Sequence, residues 1–161
     1  MANRLHIIAL SMLLAGCASE SVSLGESAYQ GSWSEMREVC LDFINEKRGS
    51  ENKAALLLWF DASDCAESQA AADFHTNSPH DHFGKCGETA QNTCPGWPTR
   101  SDFESQKKAL LSCLQEMWDE RSAGWFSEDG HYINMSNSAY TKVTCGFHLE
   151  NGKLWVNQNY R

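Results

Sequence analysis

The chain has 161 residues, a formal net charge of −8 and seven cysteines. This length suits a single domain with a sizeable hydrophobic core. The acidic balance argues against a nucleic acid as a partner. No segment has the roughly 20 consecutive apolar residues that a membrane-spanning helix needs.

The N-terminal segment has the pattern of a lipoprotein signal peptide. Met1–Arg4 carries one positive charge, a mostly apolar stretch follows, and Leu14-Ala15-Gly16-Cys17 resembles the bacterial lipobox, in which the cysteine is acylated. An ordinary signal peptide with an incidental cysteine is the alternative. The parity of the cysteines favours acylation, because lipid on Cys17 accounts for the odd one and leaves six. Removal of residues 1–16 takes away Arg4 and no acidic residue, so the net charge becomes −9.

We therefore expect an exported monomer that is anchored to the cell envelope by lipid on Cys17. Ala18 and Ser19 follow the cysteine where an aspartate would signal retention in the inner membrane, so the outer membrane is expected if the host has one. Residues 17–31 are small and polar and are predicted to form a flexible tether. Residues 32–161 are predicted to form the folded domain.

The six remaining cysteines predict three disulfides, since an exported chain folds in an oxidising compartment. Six cysteines allow 15 pairings, and sequence alone does not decide among them. The pairing we expect joins neighbours along the chain: Cys40–Cys65, Cys86–Cys94 and Cys113–Cys145.

Helical spacing predicts the first elements of the domain. Helix one is expected over 33–47, after a capping-box pattern at Ser32–Glu35. The apolar run 56–60 is expected to be buried, and helix two should cover 62–75. Residues 76–100, with three prolines and three glycines, are predicted to be irregular.

The second half combines a helix with a hairpin. Helix three is predicted over 102–120, after a second capping-box pattern at Ser101–Glu104. Residues 141–149 alternate in polarity, and Asn151-Gly152 is a strong signal for a type I′ turn that leads into a returning strand over 153–159. Three helices and a few antiparallel strands predict an α+β layered domain.

Four segments, in this order, resemble signatures of the CAP superfamily, the group of cysteine-rich secretory proteins, antigen 5 and plant pathogenesis-related 1 proteins. They are Ile44–Arg48 for the "N-x-x-R" helix, Gly87–Asn92 for the "G-E-N" strand, Met117–Arg121 for the "W-x-x-E" helix end, and Gly130–Met135 with Tyr140–Gly146 for "G-H-Y-T-Q" and "V-G-C-G". The chain departs from these signatures at Thr89, Ile133 and Asn134. The resemblance spans roughly 34–161 and implies an α–β–α sandwich with a small antiparallel sheet between helices.

The resemblance also implies a cleft lined by two histidines and two carboxylates. Three of these are matched by motif as Glu88, Glu120 and His131. The second histidine precedes the Gly87-Glu88 pair, where His80 is favoured by its spacing, with His82 and His75 as the alternatives. Neutral imidazole and carboxylate groups bind zinc, so Zn²⁺ or another divalent metal is the expected cofactor, held by His80 and His131. His148 is interpreted as a strand residue only.

Three functions follow as hypotheses. The first is a binding module that holds a divalent metal and a small ligand, lipid or peptide. The second is a metal-dependent hydrolase, either a peptidase or an esterase, that uses a zinc-bound water. The third is a purely structural domain. The chain contains no H-E-x-x-H or G-x-S-x-G motif and no visible nucleophile, so binding ranks above catalysis.

Overall fold

The computed structural model describes residues 25–122 and 130–161, with side chains from Trp33 onward except that of Ser122. The predicted signal peptide, Cys17 and the first part of the tether lie outside the described residues. Within the described ranges there are four helices, four strands and two short 3₁₀ turns. The helices are α1 Gly25–Ser50, α2 Ser63–Thr76, α3 Phe103–Asp119 and α4 Gly130–Ser136; the strands are β1 Leu57–Leu58, β2 Ala90–Pro98, β3 Lys142–Glu150 and β4 Lys153–Tyr160.

The strands form one sheet in the order β1-β3-β4-β2, and helices cover both of its faces. Successive residues of a strand point to opposite faces. Thr144 and Gly146 meet α2 on one face, whereas Cys145 is bonded to Cys40 of α1 on the other, where Phe147 also stacks on Trp33. The α3 and α4 helices pack on the α1 side. This arrangement confirms the predicted α–β–α sandwich.

Helix one begins earlier than predicted. It starts at Gly25 instead of residue 33, so it includes 25–31 of the predicted tether. Ser32 lies inside the helix and is not its N-cap. A capping-box pattern does not set the start of a helix when the residues before it can themselves be helical, as Glu26, Ala28 and Gln30 can. Among the described residues no helix is long and apolar enough to cross a membrane.

The predicted burial of the run 56–60 is wrong for two of its members. Leu56 and Trp59 are buried, but Leu57 and Phe60 are 66% and 71% exposed. Leu57 is exposed because β1 is a two-residue edge strand, paired in parallel with β3 alone, so one of its faces has no cover. Phe60 lies in the 3₁₀ turn Phe60–Ala62 that follows β1.

The stretch 76–100 is less irregular than predicted, because β2 occupies its second half and pairs with β4. Its prolines are compatible with a strand because β2 lies at the edge of the sheet, where a backbone N–H that faces solvent is not needed for hydrogen bonds between strands. The register shifts between Cys94 and Trp97, around Pro95-Gly96.

The hairpin prediction is confirmed. Strands β3 and β4 pair antiparallel, with Leu149 opposite Leu154 and Glu150 opposite Lys153. Asn151 and Gly152 have φ values of 53° and 70°. Two consecutive positive φ values are what a type I′ turn requires.

All six described cysteines form disulfides, as predicted, but every expected pairing is wrong. The bonds are Cys40–Cys145, Cys65–Cys86 and Cys94–Cys113. The expected pairs followed proximity along the chain. In the folded chain, cysteines that are distant in sequence lie on neighbouring elements. The first bond joins α1 to β3, the second joins α2 to the loop before β2, and the third joins β2 to α3.

Helix α3 begins one residue later than the capping-box pattern predicts. Asp102, not Ser101, is its N-cap, and the Asp102 carboxylate accepts a hydrogen bond from the Ser105 backbone N–H at 2.9 Å. That bond is the main cause of a lowered pKa for Asp102. The helix ends at Asp119, which places Glu120 in the 3₁₀ turn that follows.

Arg48, from the "N-x-x-R" segment, is buried and fastens α4 to α1. Its Nη1 donates to the carbonyls of Met135 and Asn137 at 2.8 and 3.0 Å, and its Nε donates to the Ala54 carbonyl. Burial lowers the pKa of the Arg48 guanidinium. The motif residue is therefore a structural clamp that fixes the C-terminal end of the short helix that carries His131.

Candidate functional site

A cavity of about 510 Å³ lies where β2, the end of α3 and the start of α4 meet. It contains three of the four predicted cleft residues. Its described lining residues are His80, Gln91, Asn92, Glu120, Gly130, His131 and Asn134. The two predicted metal-ligating histidines and one predicted carboxylate thus line one cavity, although they come from three separate segments of the chain.

Glu120 holds His131 through two hydrogen bonds. The His131 ring Nδ1 lies 2.6 Å from Glu120 Oε1, and the His131 backbone N–H donates to Oε2 at 3.1 Å. A carboxylate accepts and does not donate, so the ring proton is assigned to Nδ1. In the neutral ring this leaves the lone pair on Nε2.

Amide side chains tie α4 to β2 beside the histidine. Asn92 Nδ2 donates to the His131 carbonyl at 3.1 Å and to Gln158 Oε1 at 3.2 Å. Asn134 Nδ2 in turn donates to Asn92 Oδ1 at 2.9 Å. These bonds complement the Arg48 clamp at the other end of α4, so the position of His131 is fixed at both ends of its helix.

His80 is oriented in a similar way by two residues of β2. Its Nδ1 lies 3.0 Å from Gln91 Oε1 and 3.2 Å from Thr93 Oγ1. The Gln91 amide nitrogen already donates to Gln69 and to Asn159, so Oε1 is left as the acceptor for His80. In the neutral ring His80 therefore carries its proton on Nδ1 as well, which leaves the lone pair on Nε2. The backbone of His80 has a φ of 67°, in the left-handed region.

The fourth predicted cleft residue, Glu88, is held by other contacts. It is not among the described residues that line the cavity. Its Oε1 accepts from Gln69 Nε2 and the Gly84 N–H, both at 2.6 Å, and its Oε2 accepts from the Cys86 N–H at 2.9 Å. Glu88 is buried just before β2, where its carboxylate fastens the loop that carries His80.

The alternative histidines do not line this cavity either. His82 donates its backbone N–H to the fully buried carboxylate of Asp73, and its Nδ1 lies 2.9 Å from the same Oδ1. His75 is exposed in the last turn of α2 and packs edge-on against His148. Of the three histidines that the sequence left open, His80 is the one beside His131.

The described residues contain one group of three metal-ligating side chains whose ligand atoms all lie within 4.8 Å of one another. It is formed by His75, His148 and Glu150, outside the cavity. The triad of His80, Glu120 and His131 does not meet that distance among the described residues. Glu120 Oε1 and His131 Nδ1 are in contact at 2.6 Å, so it is the ligand atoms of His80 that do not come within 4.8 Å of both of them.

Sequence reasoning missed the amide residues of the cavity wall. Gln91 and Asn92 are buried on β2, and Asn134 lies on α4. A signal was present in the sequence: Gln91-Asn92-Thr93 and Asn157-Gln158-Asn159 are polar triplets inside two strands that pair with each other. Buried polar groups need hydrogen-bond partners, so such triplets predict a polar network within the sheet.

The fold and cavity together define a disulfide-bonded α–β–α sandwich with a polar cleft. No protein-family model matches the sequence, and no curated protein matches it. Several solved structures share its fold, among them the following three.

The crystal structure of Na-ASP-1 has a TM-score of 0.60 at 16% identity and covers 78% of this chain and 38% of its own. Venom allergen-like protein 4 of Schistosoma mansoni has a TM-score of 0.58 at 15% identity, with coverages of 78% and 87%. The hookworm platelet inhibitor has a TM-score of 0.53 at 16% identity, with coverages of 79% and 69%.

These neighbours are members of the CAP superfamily. At such identities the likeness is one of fold, and the chain has the CAP fold. The chain spans 38% of the length of Na-ASP-1.

Proposed function

We propose that this is an exported CAP-fold binding protein whose cavity holds a divalent cation, zinc by preference, between Nε2 of His80 and Nε2 of His131, and presents it to a small polar ligand. The observation that carries this proposal is the matching orientation of the two rings. Each ring has its Nδ1 engaged by a protein acceptor, Gln91 Oε1 in one case and Glu120 Oε1 in the other.

This orientation fits a metal site. Histidines that bind a metal donate their other ring N–H to a carboxylate, a carbonyl or water, which fixes the tautomer and the direction of the lone pair. Both cavity histidines have such a partner. Two imidazoles fill only part of a zinc coordination shell, so water or ligand atoms would complete it. The bound cation would supply positive charge that attracts an oxygen of the ligand.

The described lining favours a ligand with hydrogen-bonding groups. Apart from Gly130, every described lining residue has a polar side chain. Burial of an apolar lipid tail against such groups would leave them without partners, which is costly. A small polar molecule or a peptide segment with carbonyl or carboxylate oxygens therefore suits this cavity better than a lipid tail.

The structure does not favour the hydrolase alternative. A zinc-bound water needs a carboxylate within reach to take its proton. In the described part of the cavity the only carboxylate is that of Glu120, and both of its oxygens accept hydrogen bonds from His131. The Glu88 carboxylate accepts hydrogen bonds from the Gly84 and Cys86 N–H groups of the loop before β2.

We also propose that lipid on Cys17 attaches the domain to the cell envelope. Three disulfides are typical of a chain that folds outside the cytosol. The lipobox-like Leu14-Ala15-Gly16-Cys17 and the odd seventh cysteine support acylation. Metabolic labelling with a tagged fatty acid should label the wild-type protein and leave Cys17→Ala unlabelled. Equal labelling of the two would contradict the anchor.

Zinc calorimetry tests the proposed cavity site. The ligand atoms of His75, His148 and Glu150 also lie within 4.8 Å of one another. The titrations are therefore made in a His148→Ala background of the full chain, which removes one member of that group. We expect one zinc per chain in this background and no measurable binding after His131→Ala or His80→Ala. Glu120→Gln should weaken binding by about 10–100-fold, as is typical when the hydrogen-bond partner of a ligating histidine is changed. Equal affinity before and after His131→Ala would overturn the proposal.

A further inference from the structure

We infer that the protein has a second divalent-metal site, formed by His75, His148 and Glu150 on the face of the sheet that α2 covers. This site shares no residue with the described lining of the cavity. The inference is independent of the proposed function, because either site can exist without the other.

The three side chains are already close together. Their ligand atoms, one from each residue, all lie within 4.8 Å of one another. His148 Nε2 is 3.3 Å from Glu150 Oε2, and the rings of His148 and His75 are 5.4 Å apart between centroids at an angle of 62°. A zinc ion bonds imidazole nitrogen and carboxylate oxygen at about 2.0–2.2 Å, so ligand atoms of one site lie three to four ångströms apart around it. Small rotations of these side chains would bring them to that spacing.

The fold brings the three residues together for specific reasons. His148 and Glu150 are two apart on β3, so both point to the face covered by α2. His75 is in the last turn of α2. The close approach of α2 to β3, where Ala66 lies over Gly146, sets the distance between the helix and the strand.

Aromatic packing holds the histidine rings in place. The Phe74 ring lies 5.3 Å from that of His75 and 4.8 Å from that of His148, between centroids. The buried Trp155 ring contacts Phe74 edge-on, with the two ring centroids 6.1 Å apart. The two rings are thus supported from the protein side, while the Glu150 side chain is 43% exposed and open to solvent.

The donor set indicates which ions would bind. Two imidazoles and one carboxylate form a common zinc set that leaves a fourth position for water, and imidazole also suits copper and nickel. Calcium and magnesium prefer all-oxygen sites and do not fit. Because the site is partly exposed, we expect reversible exchange with free metal in solution. The bound ion would link the end of α2 to the β3–β4 hairpin and stabilise the folded state by mass action.

Zinc calorimetry and thermal unfolding on the full chain test this site. The wild type should bind two zinc ions, and the midpoint of unfolding should rise with zinc concentration. His148→Ala and Glu150→Gln should each bind one fewer ion, and the remaining ion should be the one that His131→Ala removes. Glu116→Gln is the matched control, since it makes the same charge change at an exposed position of α3 and should keep both ions.

If His148→Ala does not fold, His75→Ala at an exposed position replaces it. The second site would be overturned if Glu150→Gln and the histidine variant both bind zinc with the stoichiometry and affinity of the wild type. That conclusion would hold whether or not the cavity binds zinc. Loss of one ion in those variants combined with no effect of His131→Ala would support the second site and overturn the cavity proposal instead.

Discussion

The backbone of Ala66 lies directly over Gly146. A Cβ added to Gly146 would come within 2.0 Å of the Ala66 carbonyl carbon and 2.2 Å of its oxygen. Real Cβ atoms do not come this close to backbone, and backbone cannot give way as a flexible side chain can. Only glycine at position 146 therefore allows α2 to pack at its observed distance from β3, the distance on which the His75, His148 and Glu150 group depends.

We predict that Gly146→Ala strongly destabilises the protein. Overpacking of a well-packed core costs about 1–3 kcal/mol and sometimes more, and a clash with backbone belongs at the upper end. Gly49→Ala is the matched control, because a Cβ there meets nothing within 4 Å and Gly49 lies in α1. Its stability should be unchanged or up to about 1 kcal/mol higher, since alanine favours helix over glycine. Urea unfolding measures both, and equal midpoints would contradict the close approach.

The disulfide pairing gives a second prediction. Non-reducing peptide mapping should recover Cys40–Cys145, Cys65–Cys86 and Cys94–Cys113. Replacing Cys40 and Cys145 together by alanine should cost more stability than replacing Cys65 and Cys86, because their sequence separations are 105 and 21. Loop-closure entropy predicts about 4.7 kcal/mol for a loop of 100 residues and about 3 kcal/mol for one of 15. A larger loss from the shorter loop would contradict this entropic ranking, and other linkages would contradict the packing of the layers.

Asp102 gives a prediction for acid stability. The hydrogen bond from the Ser105 N–H lowers the pKa of Asp102 from its ordinary value of 3.8. A carboxylate with a lowered folded-state pKa contributes stability that is present above its ordinary pKa and is lost as the pH falls through the folded value. The stability of the wild type should therefore fall more steeply below about pH 3.8 than that of Asp102→Asn, which can still accept the cap bond but does not titrate. Parallel pH profiles of unfolding free energy would rule out this contribution.

The parts of the fold that follow local rules were predictable from sequence. The β3–β4 hairpin was found because Asn151-Gly152 determines its turn locally. Helix α2 was found because its buried Ala66 and Ala70 repeat at helical spacing. The burial of Leu57 was mispredicted because exposure at a sheet edge depends on strand order, which an apolar run does not encode.

The site was predictable only in part, because motifs describe local sequence and not the packing of distant segments. His131 and Glu120 lie eleven residues apart in recognisable motifs, and the structure joins them by a 2.6 Å contact. A motif fixes the position of Glu88 in the chain, but it does not predict that the Glu88 carboxylate accepts hydrogen bonds from the Gly84 and Cys86 N–H groups. Sequence alone indicates only a strand position for His148, because its neighbour His75 is far away in the sequence and is brought to it only by the packing of α2 on β3.

A zinc-soaked crystal structure of the full chain, with anomalous data collected on both sides of the zinc edge, tests the central claim most directly. The account predicts an anomalous peak in the cavity at about 2.0–2.1 Å from Nε2 of both His80 and His131. Glu120 should still accept from His131 Nδ1, and water should complete the shell. A second peak should lie among His75, His148 and Glu150. Zinc at the second position only, with His80 and His131 bare at saturating metal, would contradict the proposal that the cavity is a metal-dependent binding site.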